Sequence, residues 1–82
     1  MKRVKIYTLS TCSHCKTAKK FLTDNGIPFE YTDVDMLSGQ ERADAIEEVK
    51  KFNARCTFPT ILVGDKVIVG FNEQQVREAL GL

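Results

Sequence analysis

The apolar positions of the chain change period several times, and each change marks an element. Over residues 3–9, "RVKIYTL", the β-branched and aromatic run alternates around Val4, Ile6 and Thr8, which predicts a strand. Ser10 and Thr11 interrupt it. From Ser13 to Asn25, Cys15, Ala18, Phe21 and Leu22 recur at helical spacing while Lys16, Lys19 and Lys20 face outward. Asn25 and Gly26 close that helix, because glycine takes the left-handed cap conformation without penalty.

Pro28 prevents the helix from continuing, and "FEYTDV" alternates again, predicting a strand over 29–34. Strand, helix and strand in this order form a right-handed parallel unit. Ser38 with Glu41 has the form of a capping box, and Ala45, Ile46, Val49 and Phe52 predict the buried stripe of a helix reaching Asn53. "TILV", Gly64-Asp65 and "KVIV" predict an antiparallel hairpin with a two-residue turn. Asn72 with Gln75 opens a last helix, buried through Val76, Ala79 and Leu80. The predicted order is β-α-β-α-β-β-α in a single α/β domain over residues 1–82, with no repeat or linker.

Composition narrows the function. The 82 residues carry 12 basic and 11 acidic side chains, interleaved along the chain, so neither a nucleic acid nor a membrane surface is expected as partner. The opening "MKRVKIYTLS" lacks a signal-peptide apolar stretch, and the expected location is cytoplasmic. Three cysteines, Cys12, Cys15 and Cys56, do not make the disulfide framework of a secreted scaffold.

Cys12 and Cys15 stand three apart at the head of a helix, on one face, where disulfide geometry needs little backbone movement. A loop this short makes a poor structural staple. A closed zinc site needs four ligands, and with Cys56 and His14 added the chain offers no second close pair; His14 points off the face the cysteines share. A reactive dithiol is the expected chemistry, and no metal is expected.

Free amides and the positive end of the helix dipole converge at Cys12, favouring a thiolate there, whereas Cys15 is a turn inside. Cys12 is thus expected to be the nucleophile and Cys15 the resolving thiol of a Cys12–Cys15 redox pair. His14 is placed to tune the pair's potential, or else is an exposed helical residue without a role. Lys16 adds positive potential near the pair; Lys19 and Lys20 read as a solvated face.

The cysteine pair after an N-terminal strand, "NGIPFEYTDVD", "TFPT" before a hairpin, and "VGFNEQQVREAL" together resemble the glutaredoxin family of the thioredoxin fold, from about Val4 to Leu80. The resemblance implies a four-stranded mixed sheet flanked by three helices, with Pro59 a cis proline facing Cys12. It also implies that the backbone of Phe58, beside Thr57, pairs with glutathione or a protein substrate, and that the amides of Asn72 and Glu73 receive a carboxylate. Glutathione as co-substrate, disulfide-bonded proteins as partners and a monomeric state follow from the same likeness. No bound cofactor is expected.

The sequence departs from the family pattern at Leu9, where many members carry a basic residue, at "GFNE", and at Ser13 and His14, where Pro and Tyr are usual. These departures point toward glutaredoxin-like redoxins reduced by a thioredoxin-reductase-type flavoenzyme and serving, for example, ribonucleotide reductase. The Ser13 difference also accompanies iron–sulfur cluster binding in some relatives, so a non-catalytic cluster or metal module is the competing class. Cys56, just before "TFP", is either a third reactive thiol or a small, partly buried apolar residue.

Overall fold

A computed structural model describes residues 3–82 of the chain. Its elements run β1 (Val4–Thr8), α1 (Ser13–Asp24), β2 (Glu30–Asp33), α2 (Gly39–Phe52), β3 (Thr60–Val63), β4 (Lys66–Val69) and α3 (Glu73–Leu80), with a short 3₁₀ turn at Val34–Met36. The four strands form one sheet in the order β2-β1-β3-β4. β1 and β2 are parallel, as the strand–helix–strand order predicts, with Lys5 opposite Glu30 and Thr8 opposite Asp33. β3 runs antiparallel to both β1 and β4. The mixed four-stranded sheet with three helices is the thioredoxin-like arrangement that the resemblance implies.

Period-2 side chains divide the core into two clusters, one on each face of the sheet. Val4 and Ile6 of β1, opposite Val63 and Ile61 of β3, pack with Ala18, Phe21 and Leu22 of α1 and Val76 and Ala79 of α3. On the other face Tyr7, Val34, Ala45 and Val49 form a smaller cluster, with Leu9, Leu37, Ile46, Cys56, Phe58 and Leu62 against it. β1 is therefore covered on both sides, and Tyr7 is as deeply buried as Ile6. That explains why the clean alternation expected of a half-exposed strand does not hold there.

Three expectations change. The second strand ends at Asp33, and Val34 turns into the second cluster by starting the 3₁₀ turn instead of extending the ladder. Ser38 is the N-cap of α2, but its side chain makes no capping hydrogen bond; the chain enters through Gly39 at φ 58°. Phe52, expected in the buried stripe, is 42% exposed, because the stripe passes from Val49 to Asn53, four residues on and 5% exposed, and leaves Phe52 to its side. Asn72, by contrast, caps α3 as predicted, its side chain accepting from the Gln75 amide at 3.1 Å.

Leu22 is 1% exposed at the centre of the larger cluster. Leu22→Ala should lower unfolding free energy by about 3 kcal/mol in urea titration. Phe52→Ala should cost less than about 1 kcal/mol. Equal losses would mean that the two faces are packed differently from this description.

Candidate active site

The C-terminal end of β1 and the N-terminal end of β3 lie side by side, since Tyr7 pairs with Thr60. The segment leaving β1 therefore comes to the same edge of the sheet as the segment entering β3. The first carries Cys12 and the second carries Pro59. At the end of β4, the Gly70 amide donates to the Pro59 carbonyl at 2.8 Å, which brings the approach to α3 to the same edge.

A turn closed by the Cys12 amide on the Leu9 carbonyl (3.1 Å) delivers Cys12 to the N-cap of α1. There its Sγ accepts from the Cys15 amide at 3.3 Å, so a backbone dipole and the helix end both point at this sulfur. Cys12 is half-buried and Cys15 fully buried, and both are free thiols, so the structure is that of the dithiol. Burial pushes the Cys15 thiol up to about 12, with hydrogen bonding to Cys12 acting in the same direction and the Leu9 backbone and Lys19 opposing it. The two sulfurs thus differ: Cys12 is partly exposed at the helix end, and burial disfavours ionisation of Cys15 beneath it.

The turn is held from the 3₁₀ segment. Asp35 accepts from the Ser10 amide at 2.8 Å and from the Ser10 hydroxyl, and these bonds hold its carboxyl below the usual carboxylate range. Deeper in, the buried Thr8 hydroxyl donates to Asp33, which also takes the Lys19 ammonium at 3.0 Å. Lys19 lies 4.0 Å from the centre of the Tyr31 ring. It is therefore a bridge from α1 to β2 and not the freely solvated lysine its spacing predicts. Lys20 keeps to the surface, paired with Asp24.

The Phe58–Pro59 peptide bond is cis. Pro59 is buried and Phe58 half-buried against the second cluster, while Thr57 is exposed. Cys56 sits in the left-handed region at φ 51° and packs against the second cluster, in keeping with a small apolar role. His14 and Lys16 are exposed on the first turns of α1. Asn72 and Glu73 are exposed at the start of α3, where the Glu73 carboxylate accepts from Arg77 Nε at 3.2 Å.

Sequence reasoning missed the Ser10–Asp35 and Thr8–Asp33–Lys19 ties, and also Asn53, whose buried side chain bonds Thr57 and Thr60. The one available signal was position: the carboxylates of "TDVD" follow a parallel strand, and functional groups gather where such strands end. Among the described residues, no group of three or more His, Cys, Asp or Glu side chains is placed to hold a metal ion. No described helix is long and apolar enough to cross a membrane.

A buried thiol that resists ionisation favours the folded state until the pH at which an unfolded cysteine ionises, about 8.5. That contribution is lost as pH rises toward 12. The reduced protein should therefore lose more stability than Cys15→Ala between pH 8.5 and 11 in denaturant titrations. Tyr7, whose phenol burial also pushes up, is common to both proteins and cancels in the comparison. Parallel pH profiles would show that Cys15 is not held protonated by the fold.

Comparison with known proteins agrees with this geometry. The family model described as Glutaredoxin matches residues 4–68. Glutaredoxin 3 of Escherichia coli K12 is 31% identical over 81 residues, covering 99% of this chain and 92% of that protein. Among solved structures, methanoredoxin of Methanosarcina acetivorans superimposes with a TM-score of 0.93 at 49% identity, covering 98% of this chain and 85% of that one. The glutaredoxin of Archaeoglobus fulgidus gives a TM-score of 0.91 at 39% identity, over 98% and 87% of the two chains. With a matching sequence model, matching folds and a Cys12–Cys15 pair at the head of α1, this chain belongs to the glutaredoxin family.

Proposed function

We propose that this chain reduces protein disulfides or glutathione mixed disulfides by dithiol–disulfide exchange, with Cys12 attacking and Cys15 resolving. The observation that carries the reading is the asymmetry of the pair, Cys12 half-buried at the N-cap of α1 and Cys15 fully buried one turn in. In the first step the Cys12 thiolate attacks one substrate sulfur, a mixed disulfide forms, and the other substrate sulfur leaves as a thiolate that takes up a proton. In the second, Cys15 gives up its proton and attacks Cys12 Sγ. The second substrate sulfur leaves as a thiol, and two electrons have passed from the Cys12–Cys15 pair to the substrate.

The same contacts time the second step. Burial is the larger cause that holds the Cys15 proton, and hydrogen bonding to Cys12 and any negative charge on it add to it. Once Cys12 is bound in a mixed disulfide its sulfur carries no charge, so that contribution falls away. The Leu9 backbone and Lys19 still favour the Cys15 thiolate. Cys15 is thereby easiest to deprotonate when there is a disulfide for it to attack.

Glutathione fits the family as co-substrate, with the Phe58 backbone beside Pro59 as the pairing edge and the α3 start as the carboxylate end. Two features favour the other reductant, a thioredoxin-reductase-type flavoenzyme. Leu9 stands packed against the second cluster, where many family members carry a basic residue, and "GFNE" stands where they carry Gly with Ser or Cys and Asp.

Cys15→Ser should accumulate a mixed disulfide visible by intact mass, and Cys12→Ser should be inert. Equal turnover by Cys12→Ser and the unmodified chain would sink the proposal. The reductant is decided by NADPH oxidation with glutathione and its reductase against thioredoxin reductase. Glutathione as co-substrate requires the former to be faster by at least about tenfold; the reverse order assigns the flavoenzyme.

A further inference from the structure

Asn53 ends α2, and its backbone and side chain are both engaged. Its amide donates to the Val49 carbonyl at 2.8 Å, its carbonyl accepts from the Cys56 amide at 2.9 Å, and its Oδ1 accepts from the Arg55 amide at 3.2 Å. Its Nδ2 faces the Thr57 hydroxyl oxygen at 2.8 Å, the Thr57 carbonyl at 3.2 Å and the Thr60 hydroxyl oxygen at 3.2 Å. The Thr60 hydroxyl donates in turn to the Thr57 carbonyl at 2.8 Å. Asn53 is 5% exposed and Thr60 fully buried.

These bonds bracket two residues. Thr57 and Thr60 flank Phe58 and Pro59, so one buried amide fixes the chain on both sides of the cis peptide. The anchoring runs from two directions: α2 holds Asn53, and β3 holds Thr60 through its pairing with Tyr7. A buried donor of this kind is costly to remove, because the fully buried Thr60 hydroxyl then loses a partner where water cannot replace it. None of these bonds involves Cys12 or Cys15.

We infer that Asn53 is a positioning residue for substrate docking: it holds Thr57–Pro59 in the conformation against which a disulfide substrate aligns with Cys12. The inference rests on the proposed dithiol–disulfide exchange. Asn53 touches neither sulfur nor substrate, and acts by keeping the docking edge where the attacking thiolate needs it. Thr57 and Thr60 share the task as its acceptors.

The test separates docking from thiol reactivity by working in the Cys15→Ser protein, where Cys12 reacts once and stops. Two rates are measured: mixed-disulfide formation with a glutathionylated peptide, and alkylation of Cys12 by iodoacetamide, a small reagent that needs no docking. Asn53→Asp, which keeps the shape but loses the Nδ2 donor, and Asn53→Ala should each slow the peptide reaction by about tenfold. The alkylation rate should change by less than about twofold. Where an Asn53 variant does not fold by circular dichroism, Thr57→Val and Thr60→Val, which remove the two hydroxyl acceptors one at a time and leave the Thr57 carbonyl, should give smaller losses of the same selective kind. Rates that fall together, or a peptide rate that does not fall, overturn the positioning role. A Cys15→Ser parent that alkylates but forms no mixed disulfide overturns the functional reading instead, and the inference with it.

Discussion

The hydrogen-bond ladder on both sides of β1 is the constraint on which the site depends. One side pairs in parallel with β2 and the other antiparallel with β3, so β1 cannot shift against either neighbour without breaking a ladder. A slip by one residue would also carry Ile6 and Tyr7 each into the other's cluster. The register that satisfies both faces therefore fixes where β1 ends. That in turn places the Leu9–Cys12 turn, the N-cap sulfur and the entry of α1.

Polar ties then hold what the apolar core only places. Asp35 fastens the turn at Ser10, Asp33 joins the end of β2 to Thr8 and Lys19, and Asn53 fastens the segment before β3. Each lies at the sheet edge where the cysteine and proline segments meet. Carboxylates and an amide suit this position, being partly or wholly withdrawn from water and surrounded by backbone donors and hydroxyls.

Much of this was legible in the sequence, and the reason is the range over which each signal acts. Helical spacing from Cys15 to Leu22 and the Gly64-Asp65 turn are local, and both were read correctly. The Asn72 cap is likewise a contact across a few residues. Ser10 and Asp35 are 25 residues apart, and no periodic pattern links them before the parallel pairing is known. Asn53 read only as a helix end, because its partners matter through a loop whose path is set by Cys56 in the left-handed region. Phe52 shows the opposite failure: three and four residues past Val49 are both helical spacings, and the buried place goes to the polar Asn53.

Cys15 is held one turn beneath Cys12 by a rigid helix, at an effective concentration that no free thiol in solution approaches. In the exchange proposed for the pair, the second displacement is then intramolecular, and the bound partner enters its rate through the acidity of its leaving thiol and not through its shape. Partners of very different shape would be released at nearly the same speed. Discrimination among shapes has to be made earlier, in the encounter at the proline edge, while the buried sulfur senses only the acidity of the thiol it displaces.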